Sequence, residues 1–173
     1  MMKNSFLNIV RIAFLLFLFS GCSSGQGTKK LYDPGLDGMK QIQQAVNAAR
    51  TSGKQVLIQY GGNWCSWCIK FDAFCKADTA ISRVIANNYI PVKLNYSPEN
   101  KNEASNEFLG NPMRFGFPVF IILDGKGQVL HIQDSALLEE GQGYSQKKVI
   151  SFFLNWTASA VIPAARKTVA TKQ

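Results

Sequence analysis

Histidine, cysteine and charged residues are scarce in this chain. Its 173 residues include one His, four Cys and 17% charged residues, against 46% hydrophobic residues. Four cysteines are too few for a disulfide-dense scaffold, in which bridges substitute for a large core. The hydrophobic content excludes a disordered polar chain, and the length excludes two full-sized domains. We therefore expect one compact domain with its own core, in which each cysteine needs its own explanation.

Basic residues outnumber acidic ones, but they are scattered along the chain. Nineteen Lys and Arg stand against 11 Asp and Glu, which gives a formal net charge of +8. The basic pairs at positions 29–30, 147–148 and 166–167 are far apart in sequence and do not alternate with aromatic residues. A nucleic-acid site needs positive charge clustered on one face. We interpret these residues as a solvated surface and expect no nucleic-acid partner.

The first hydrophobic run is too short to span a bilayer. Residues 12–19 are apolar without interruption, and a transmembrane helix needs ~20 such residues. The run follows Lys3 and Arg11 with no acidic residue before it, as in a secretory signal peptide. It ends in Phe19, Ser20 and Gly21 before Cys22. Residues 1–21 are therefore predicted to be a signal peptide.

Cys22 and its neighbours resemble the lipobox of bacterial lipoproteins, with Phe19 where Leu is usual. The resemblance implies cleavage before Cys22, a lipid on its sulfur and stable membrane attachment. Residues 22–34 would then form the lipidated cysteine and a flexible polar tether. Ser23 resembles the residue that directs lipoproteins to an outer membrane, which implies a periplasmic, lipid-anchored protein of a bacterial cell envelope. An ordinary signal peptide with a chance cysteine is the alternative.

Helix and strand patterns alternate along the rest of the chain. Helical spacing of apolar residues ends at Gly53, an apolar strand follows at residues 56–60, and a helix starts near Cys65. Later patterns predict a helix capped by Asp78, a strand at 90–96, a short helix at 102–109 and a hairpin of strands 118–123 and 128–132. A final helix capped by Ser145 is predicted to run through Ala158. This order predicts an α/β fold over residues 35–162, with helices on both faces of a mixed sheet and a tail at 163–173.

Two cysteines lie where the buried strand meets a helix. Only a thiolate attacks a disulfide, and the free N–H groups and dipole of a helix N-terminus stabilise a thiolate. The spacing of Cys65 and Cys68 brings their sulfurs within bonding reach. An exposed Cys65 is therefore predicted to attack a client disulfide. Cys68 is predicted to resolve the mixed disulfide, leaving Cys65 and Cys68 oxidised and the client reduced.

Three segments of residues 54–156 resemble the thioredoxin-like superfamily. They are the active-site turn at 61–68, the strand at 92–95 with the family's lysine position at Lys93, and the loop at 116–118. The likeness is greatest to exported thioredoxin-like domains and to the soluble domain of transmembrane disulfide-interchange reductases. It implies a thioredoxin-like fold, a cis bond before Pro118, and a Phe117 backbone that pairs with an extended client. A trans proline that opens a strand is the alternative.

One position departs from the family pattern. The best-studied branch has an acidic residue beneath the second cysteine that helps to deprotonate it, whereas this chain has Gln59, which cannot take a proton. Lys93 could still lower the pKa of a thiol if its ammonium lies under the site. Asp72, one turn after Cys68, could substitute for the acid, but an exposed surface position is the favoured interpretation.

Two tryptophans flank the cysteines, and a third cysteine follows them. Trp64 matches the family's usual aromatic residue and is expected beside the site. Trp67 is expected to be partly exposed, where it either contacts clients or covers Cys65. Cys75 lies on the same helix face as Cys68, two turns later. It is interpreted as a buried, inert thiol, and a third redox sulfur is the alternative.

The preferred interpretation is a lipid-anchored, extracytoplasmic thiol–disulfide oxidoreductase, acting as a reductase or isomerase rather than a general oxidant. That preference rests on the resemblance. The expected partners are disulfide-containing client proteins and a membrane electron donor, with no cofactor or metal ion. One alternative is a binding or adaptor module with vestigial thiols, which Gln59 favours. The other is a zinc site made by Cys65, Cys68, Cys75 and His131.

Overall fold

Helices and strands alternate through residues 30–161, the part of the chain that the computed structural model describes. The elements are α1 (Gly38–Ser52), β1 (Gln55–Gly61), α2 (Ser66–Ala77), α3 (Thr79–Asn88), β2 (Tyr89–Asn95), α4 (Glu103–Phe108), β3 (Val119–Leu123), β4 (Val129–Asp134), β5 (Glu139–Glu140), β6 (Gly143–Tyr144), α5 (Gln146–Asn155) and α6 (Ala158–Val161). Short 3-10 helices cover Pro112–Phe115 and Ser135–Leu138. The predicted signal peptide, Cys22 and the tail at 163–173 lie outside the described residues.

The four longer strands form one mixed sheet in the order β2-β1-β3-β4. Strands β1 and β2 are parallel, whereas β1 pairs with β3, and β3 with β4, in antiparallel register. Helix α1 packs with one core cluster, and helices α2, α3 and α5 contribute to a second. The predicted α/β class, with a mixed sheet, a hairpin and helices on both faces, is therefore confirmed.

Strand β1 is buried at every position because both faces of the sheet are covered. Val56, Ile58 and Tyr60 join the cluster beneath α1, and Leu57 joins the cluster beneath α2. This alternation follows from the two-residue period of a strand. Gln59 is also buried, at 2% exposure, and is a polar residue in a strand that otherwise carries mostly apolar side chains.

Local capping explains where the helices begin and end. The Asp37 carboxylate accepts from the Lys40 N–H, and Gly53 ends α1 with φ 69°, a conformation that glycine adopts without strain. Asp78 caps α3 by accepting from two backbone N–H groups. Ser145 occupies the N-cap of α5, but its side chain makes no capping hydrogen bond.

The C-terminal helix is shorter than the expected helix, which ran through Ala158. Helix α5 ends at Asn155, and the Thr157 hydroxyl accepts from the Ala160 N–H at 3.2 Å. A hydroxyl in this position caps a new helix, which explains why α6 begins at Ala158. In residues 30–161, no helix has the length and hydrophobicity needed to cross a membrane.

Candidate redox site

Cys65 and Cys68 form a disulfide at the N-terminus of α2, with their Cα atoms 5.2 Å apart. Cys65 is the N-cap residue of this helix, and its sulfur accepts from the Cys68 N–H at 3.1 Å. The turn that leads from β1 is closed by a hydrogen bond from the Cys65 N–H to the Gly62 carbonyl. The local fold thus places both sulfurs at the positive end of a helix, where a thiolate is stabilised.

Both cysteines are buried in the disulfide form, so the expectation of an exposed Cys65 needs correction. Cys65 is 6% exposed and Cys68 is 0% exposed. The physical reason is a small cluster of Tyr32, Cys65 and Cys68, against which Leu31, Trp67 and Phe117 pack. Cys65 is nevertheless the more exposed of the two residues. This difference agrees with its assigned role as the attacking cysteine.

Tyr32 covers the disulfide and was not identified by the sequence analysis. Its side chain is 0% exposed, although the predicted tether extended to residue 34. The Tyr32 N–H donates to Asn63 Oδ1 at 3.0 Å, and Asn63 Nδ2 donates to the Tyr32 carbonyl at 2.7 Å. A large aromatic residue just before the Asp33-Pro34 turn was the sequence feature that could have indicated packing. The packed part of the chain thus begins before residue 35.

A chain of polar contacts runs beneath the disulfide. Lys93 Nζ contacts Asp72 Oδ1 at 2.7 Å and donates to Gln59 Oε1 at 2.6 Å. Gln59 Nε2 donates to the Cys68 carbonyl at 3.0 Å and to the Tyr32 hydroxyl at 2.7 Å. Gln59 therefore lies between the Lys93 ammonium and Cys68. The Gln59 side-chain amide therefore separates the positive charge of Lys93 from the Cys65–Cys68 pair.

Asp72 is not an exposed surface residue, which corrects the favoured interpretation of the sequence. Its side chain is 13% exposed and pairs with Lys76 and Lys93, each at 2.7 Å. Burial by itself raises the pKa of Asp72, but hydrogen bonds from Lys76 and Lys93 hold the pKa below its ordinary value. Burial lowers the pKa of Lys93, and Asp72 partly offsets that effect. The two charges stabilise each other at the edge of the core.

Aromatic side chains surround the loop before Pro118. The Phe117–Pro118 peptide bond is cis. The Phe117 ring stacks on Tyr96 at 4.8 Å between centroids and meets Trp64 edge-on at 5.5 Å. Trp64 is 56% exposed, and its indole N–H donates to the Tyr96 carbonyl at 2.7 Å. These three residues, which we call the aromatic rim, present a fixed apolar surface beside the disulfide.

Trp67 packs against the cluster that contains the disulfide and is partly exposed. Its ring meets Tyr144 of β6 edge-on at 5.4 Å, and Lys70 Nζ lies 4.2 Å from the ring centroid. The Tyr144 hydroxyl donates to the Trp67 carbonyl at 3.3 Å. The short β5–β6 pair, which had no alternating pattern to predict it, thus supports Trp67.

Cys75 and His131 do not approach the disulfide as a metal-binding set. Cys75 is free and 7% exposed, and burial raises the pKa of its thiol to about 12. His131 stacks on Trp156 at 4.3 Å, and its ring nitrogen is hydrogen-bonded to Gln133. Within residues 30–161, no group of three or more His, Cys, Asp and Glu is placed to hold a metal ion.

A family model described as thioredoxin-like matches residues 37–125. The chain belongs to the thioredoxin-like family. The matched range contains Cys65, Cys68, Gln59, Lys93 and the cis proline described above. A search of curated proteins finds no match for this thioredoxin-like protein.

Several solved structures are similar to this chain, and the one with a TM-score of 0.66 shares its fold. A disulphide isomerase from Xylella fastidiosa Temecula1 is 23% identical with a TM-score of 0.66, covering 74% of this chain and 97% of that chain. A Thermus thermophilus thioredoxin is 14% identical with a TM-score of 0.49, covering 76% and 92%. The C-terminal domain of Neisseria meningitidis DsbD in its oxidised form is 15% identical with a TM-score of 0.48, covering 68% and 94%. Family membership and the Cys65–Cys68 disulfide together support thiol–disulfide oxidoreductase activity.

Proposed function

We propose that this thioredoxin-like protein reduces or isomerises protein disulfides outside the cytoplasm, through a mixed disulfide on Cys65. The observation that carries the proposal is the Cys65–Cys68 disulfide at the N-terminus of α2, in contact with Phe117 of the cis-proline loop. A stabilised thiolate favours attack on a client disulfide, and a neighbouring backbone can hold an extended client segment beside it.

The reaction begins with the reduced form. The Cys65 thiolate attacks one sulfur of a client disulfide, so that a Cys65–client bond forms and the second client sulfur leaves as a thiolate. Cys68 then attacks Cys65, the Cys65–client bond breaks, and the Cys68 proton passes to the departing client sulfur. Two electrons have then moved to the client, and Cys65–Cys68 is oxidised. In isomerisation, a client thiol instead displaces Cys65 and forms a new client disulfide.

The surroundings of the cysteines supply the other roles. The Phe117 backbone before Pro118 would pair with an extended client segment. Trp64 and Trp67 would contact apolar client side chains, since Trp64 is exposed and Trp67 is partly exposed. Lys93 would favour the thiolate form of an active-site cysteine through its electrostatic field, with Gln59 between them.

The location of the protein belongs to the same proposal. Residues 1–21 would be removed as a signal peptide, Cys22 would carry the lipid, and the residues between Cys22 and Leu31 would connect the lipid to the domain, with 163–173 as a tail. Ser23 favours an outer-membrane destination in a bacterial envelope. A reductase in the periplasm needs electrons from a donor in the membrane, because the cytoplasmic thiol pools do not reach it.

An adaptor module with vestigial thiols is the second candidate function. Gln59 at the usual acid position and the 6% exposure of Cys65 favour it. The two candidates differ in what happens when the nucleophile is removed. We expect Cys65→Ser to lower the rate of reduction of a protein disulfide at least 100-fold, whereas Cys75→Ala leaves it unchanged. Equal rates for wild type and Cys65→Ser would establish the adaptor instead.

Trapping separates the roles of the two cysteines. A Cys68→Ser variant cannot resolve the mixed disulfide, so we expect clients to stay bound to Cys65 until a reductant is added. The measurement is a shift to higher mass on non-reducing electrophoresis. Trapping that depends on Cys68 in a Cys65→Ser variant would reverse the assigned roles.

A further inference from the structure

Gln59 holds a fixed orientation between two different partners. The Lys93 ammonium can only donate, so the oxygen of the Gln59 amide must face it. The amide nitrogen therefore faces the other way, where it donates to the Cys68 carbonyl and to the Tyr32 hydroxyl. The Tyr32 hydroxyl oxygen is thus an acceptor in this contact. The O–H proton of Tyr32 is therefore free to be donated to a group other than Gln59.

The sulfur of Cys68 lies near that hydroxyl, although no hydrogen bond joins the two groups in the disulfide form. Tyr32, Cys65 and Cys68 share one buried cluster, and Tyr32 and Cys68 are each 0% exposed. Gly61 lies against both groups, because a Cβ at this position would meet the Cys68 sulfur and, at 3.0 Å, the Tyr32 hydroxyl oxygen. The two hydrogen bonds with Asn63 fix the Tyr32 backbone to the turn that carries Cys65. A thiolate at Cys68 would therefore meet a preplaced hydroxyl donor.

We propose that Tyr32 donates a hydrogen bond to the Cys68 sulfur when the disulfide is open and stabilises its thiolate. This inference rests on the proposed function and adds a residue to its site. In the resolving step Cys68 gives up its proton and its thiolate attacks Cys65, so that the Cys65–Cys68 bond forms as the Cys65–client bond breaks. Tyr32 retains its own proton, and the departing client sulfur takes up the proton that Cys68 gave up. Gln59 cannot accept that proton, so the site favours the thiolate with a donor rather than with a base.

Burial keeps the phenol in its donor form. Desolvation raises the pKa of Tyr32 above its ordinary value, against a smaller opposing effect of the hydrogen bond from Gln59. Asp72 of α2 and Tyr144 of β6 act in the same direction as burial. Lys93 of β2 is the cation of the polar chain below. Gln59, Asp72, Tyr144 and Lys93 are unchanged in every variant of the test below.

The test measures the ionisation of Cys68 alone. The full chain carries Cys22→Ala, Cys65→Ser and Cys75→Ala, so that Cys68 is its one thiol, and Ser at the N-cap of α2 keeps a capping acceptor. Ultraviolet thiolate absorbance is followed against pH. The same titration with Cys68→Ala added is subtracted, which removes the tyrosine contribution.

We expect Tyr32→Phe to move the Cys68 titration midpoint upward by about one pH unit, a tenfold loss of thiolate at neutral pH. The matched control is Tyr89→Phe, since the buried Tyr89 hydroxyl donates to the Phe153 carbonyl away from the disulfide. Its midpoint should not move. In a second variant, 3-fluorotyrosine at position 32, a stronger donor of nearly the same shape, should move the midpoint downward.

An unchanged or lower midpoint in Tyr32→Phe would overturn the inference, as would an equal shift in Tyr89→Phe. If Tyr32→Phe fails to fold, the fluorotyrosine protein decides alone, and an unchanged midpoint there counts against the inference. The titration measures no electron transfer. If the protein fails to reduce disulfides but the Cys68 midpoint moves in Tyr32→Phe, only the proposed function is contradicted. If the protein reduces disulfides but the Cys68 midpoint does not move, only this inference is contradicted.

Discussion

Asp72 shows how one residue joins the site to the fold. It lies on α2, yet its partner Lys93 lies on β2, and that lysine reaches Gln59 of β1. Three elements therefore meet at the Lys93 ammonium, which pairs with a carboxylate whose side chain is only 13% exposed. Breaking such a partly buried pair leaves the other charge without compensation, which costs more than an exposed ion pair.

Asp72→Asn should lower the free energy of unfolding at neutral pH by about 1–3 kcal/mol. The folded-state pKa of Asp72 lies below its ordinary value, so its contribution is present above about pH 4 and is lost as the pH falls through the folded-state value. The difference between the two proteins should therefore shrink in acid. Urea unfolding of the oxidised proteins at several pH values measures this.

The control for that experiment is Glu107→Gln, which neutralises an exposed carboxylate on α4. It should change stability by less than about 0.5 kcal/mol. A difference between Asp72→Asn and wild type that stays constant between pH 7 and pH 2 would contradict the ion-pair account.

Residue-scale expectations succeeded where they depended on local chemistry. The position of the Cys65–Cys68 pair at the start of a helix follows from a buried strand, two glycines and the cysteine spacing. The burial of Asp72 and Tyr32 did not follow, because Lys93 lies 21 residues from Asp72 and Gln59 lies 27 residues from Tyr32 in sequence. Local periodicity carries no information about such contacts. The burial of Cys65 was missed for the same reason, since Tyr32 shares its buried cluster.

At the scale of elements, the end of β1 decides how closely the sheet approaches α2. Gly61 is the last residue of β1, and the Cys68 sulfur lies where its side chain would be. The same position faces the Tyr32 hydroxyl. The missing Cβ thus allows strand, helix and the segment before α1 to meet around the disulfide.

Gly61→Ala should lower the free energy of unfolding by about 1–3 kcal/mol, because the added methyl group overpacks a buried site. Gly143→Ala on β6 is the matched control, since a Cβ there has nothing within 4 Å. Chemical denaturation of the two oxidised proteins gives the comparison. Equal stability of the two variants would show that α2 shifts away at little cost.

Element positions were predictable, and their fine boundaries were less so. Capping residues such as Asp78 and Gly53 lie where the sequence placed them. Ser145 opens α5 without a side-chain cap, and Thr157 divides the expected C-terminal helix. The β5–β6 pair has two residues in each strand, which is too short for a periodic pattern. Packing of Tyr144 under Trp67 and Phe71 stabilises it instead.

At the scale of the whole molecule, several large hydrophobic side chains are exposed, and Trp64 is the exposed member of the aromatic rim. It is 56% exposed, while Phe117 and Tyr96 hold its ring from the side. A rigid, exposed aromatic residue beside a reactive centre is typical of residues that dominate binding energy.

Trp64→Ala should lower kcat/KM for an unfolded protein substrate about tenfold, which corresponds to the loss of a binding anchor. A small aromatic disulfide, which needs no extended contact, should react within about twofold of the wild-type rate. Leu137→Ala, which removes an exposed side chain outside the site, is the control for both substrates. An equal loss with both substrates would mean that Trp64 acts on the cysteines rather than on the client.

The fixed position of Tyr32 would also limit the distance between the disulfide and a bilayer, if Cys22 carried a lipid. Eight residues separate Cys22 from Leu31, and an extended chain spans at most ~3.6 Å per residue. A lipid on Cys22 would therefore hold the disulfide within a few tens of ångströms of the headgroups, because the chain enters the domain directly at the reactive centre. Short reach would restrict exchange to proteins that pass close to the membrane surface. It would also bring the site near an electron donor embedded in the same membrane.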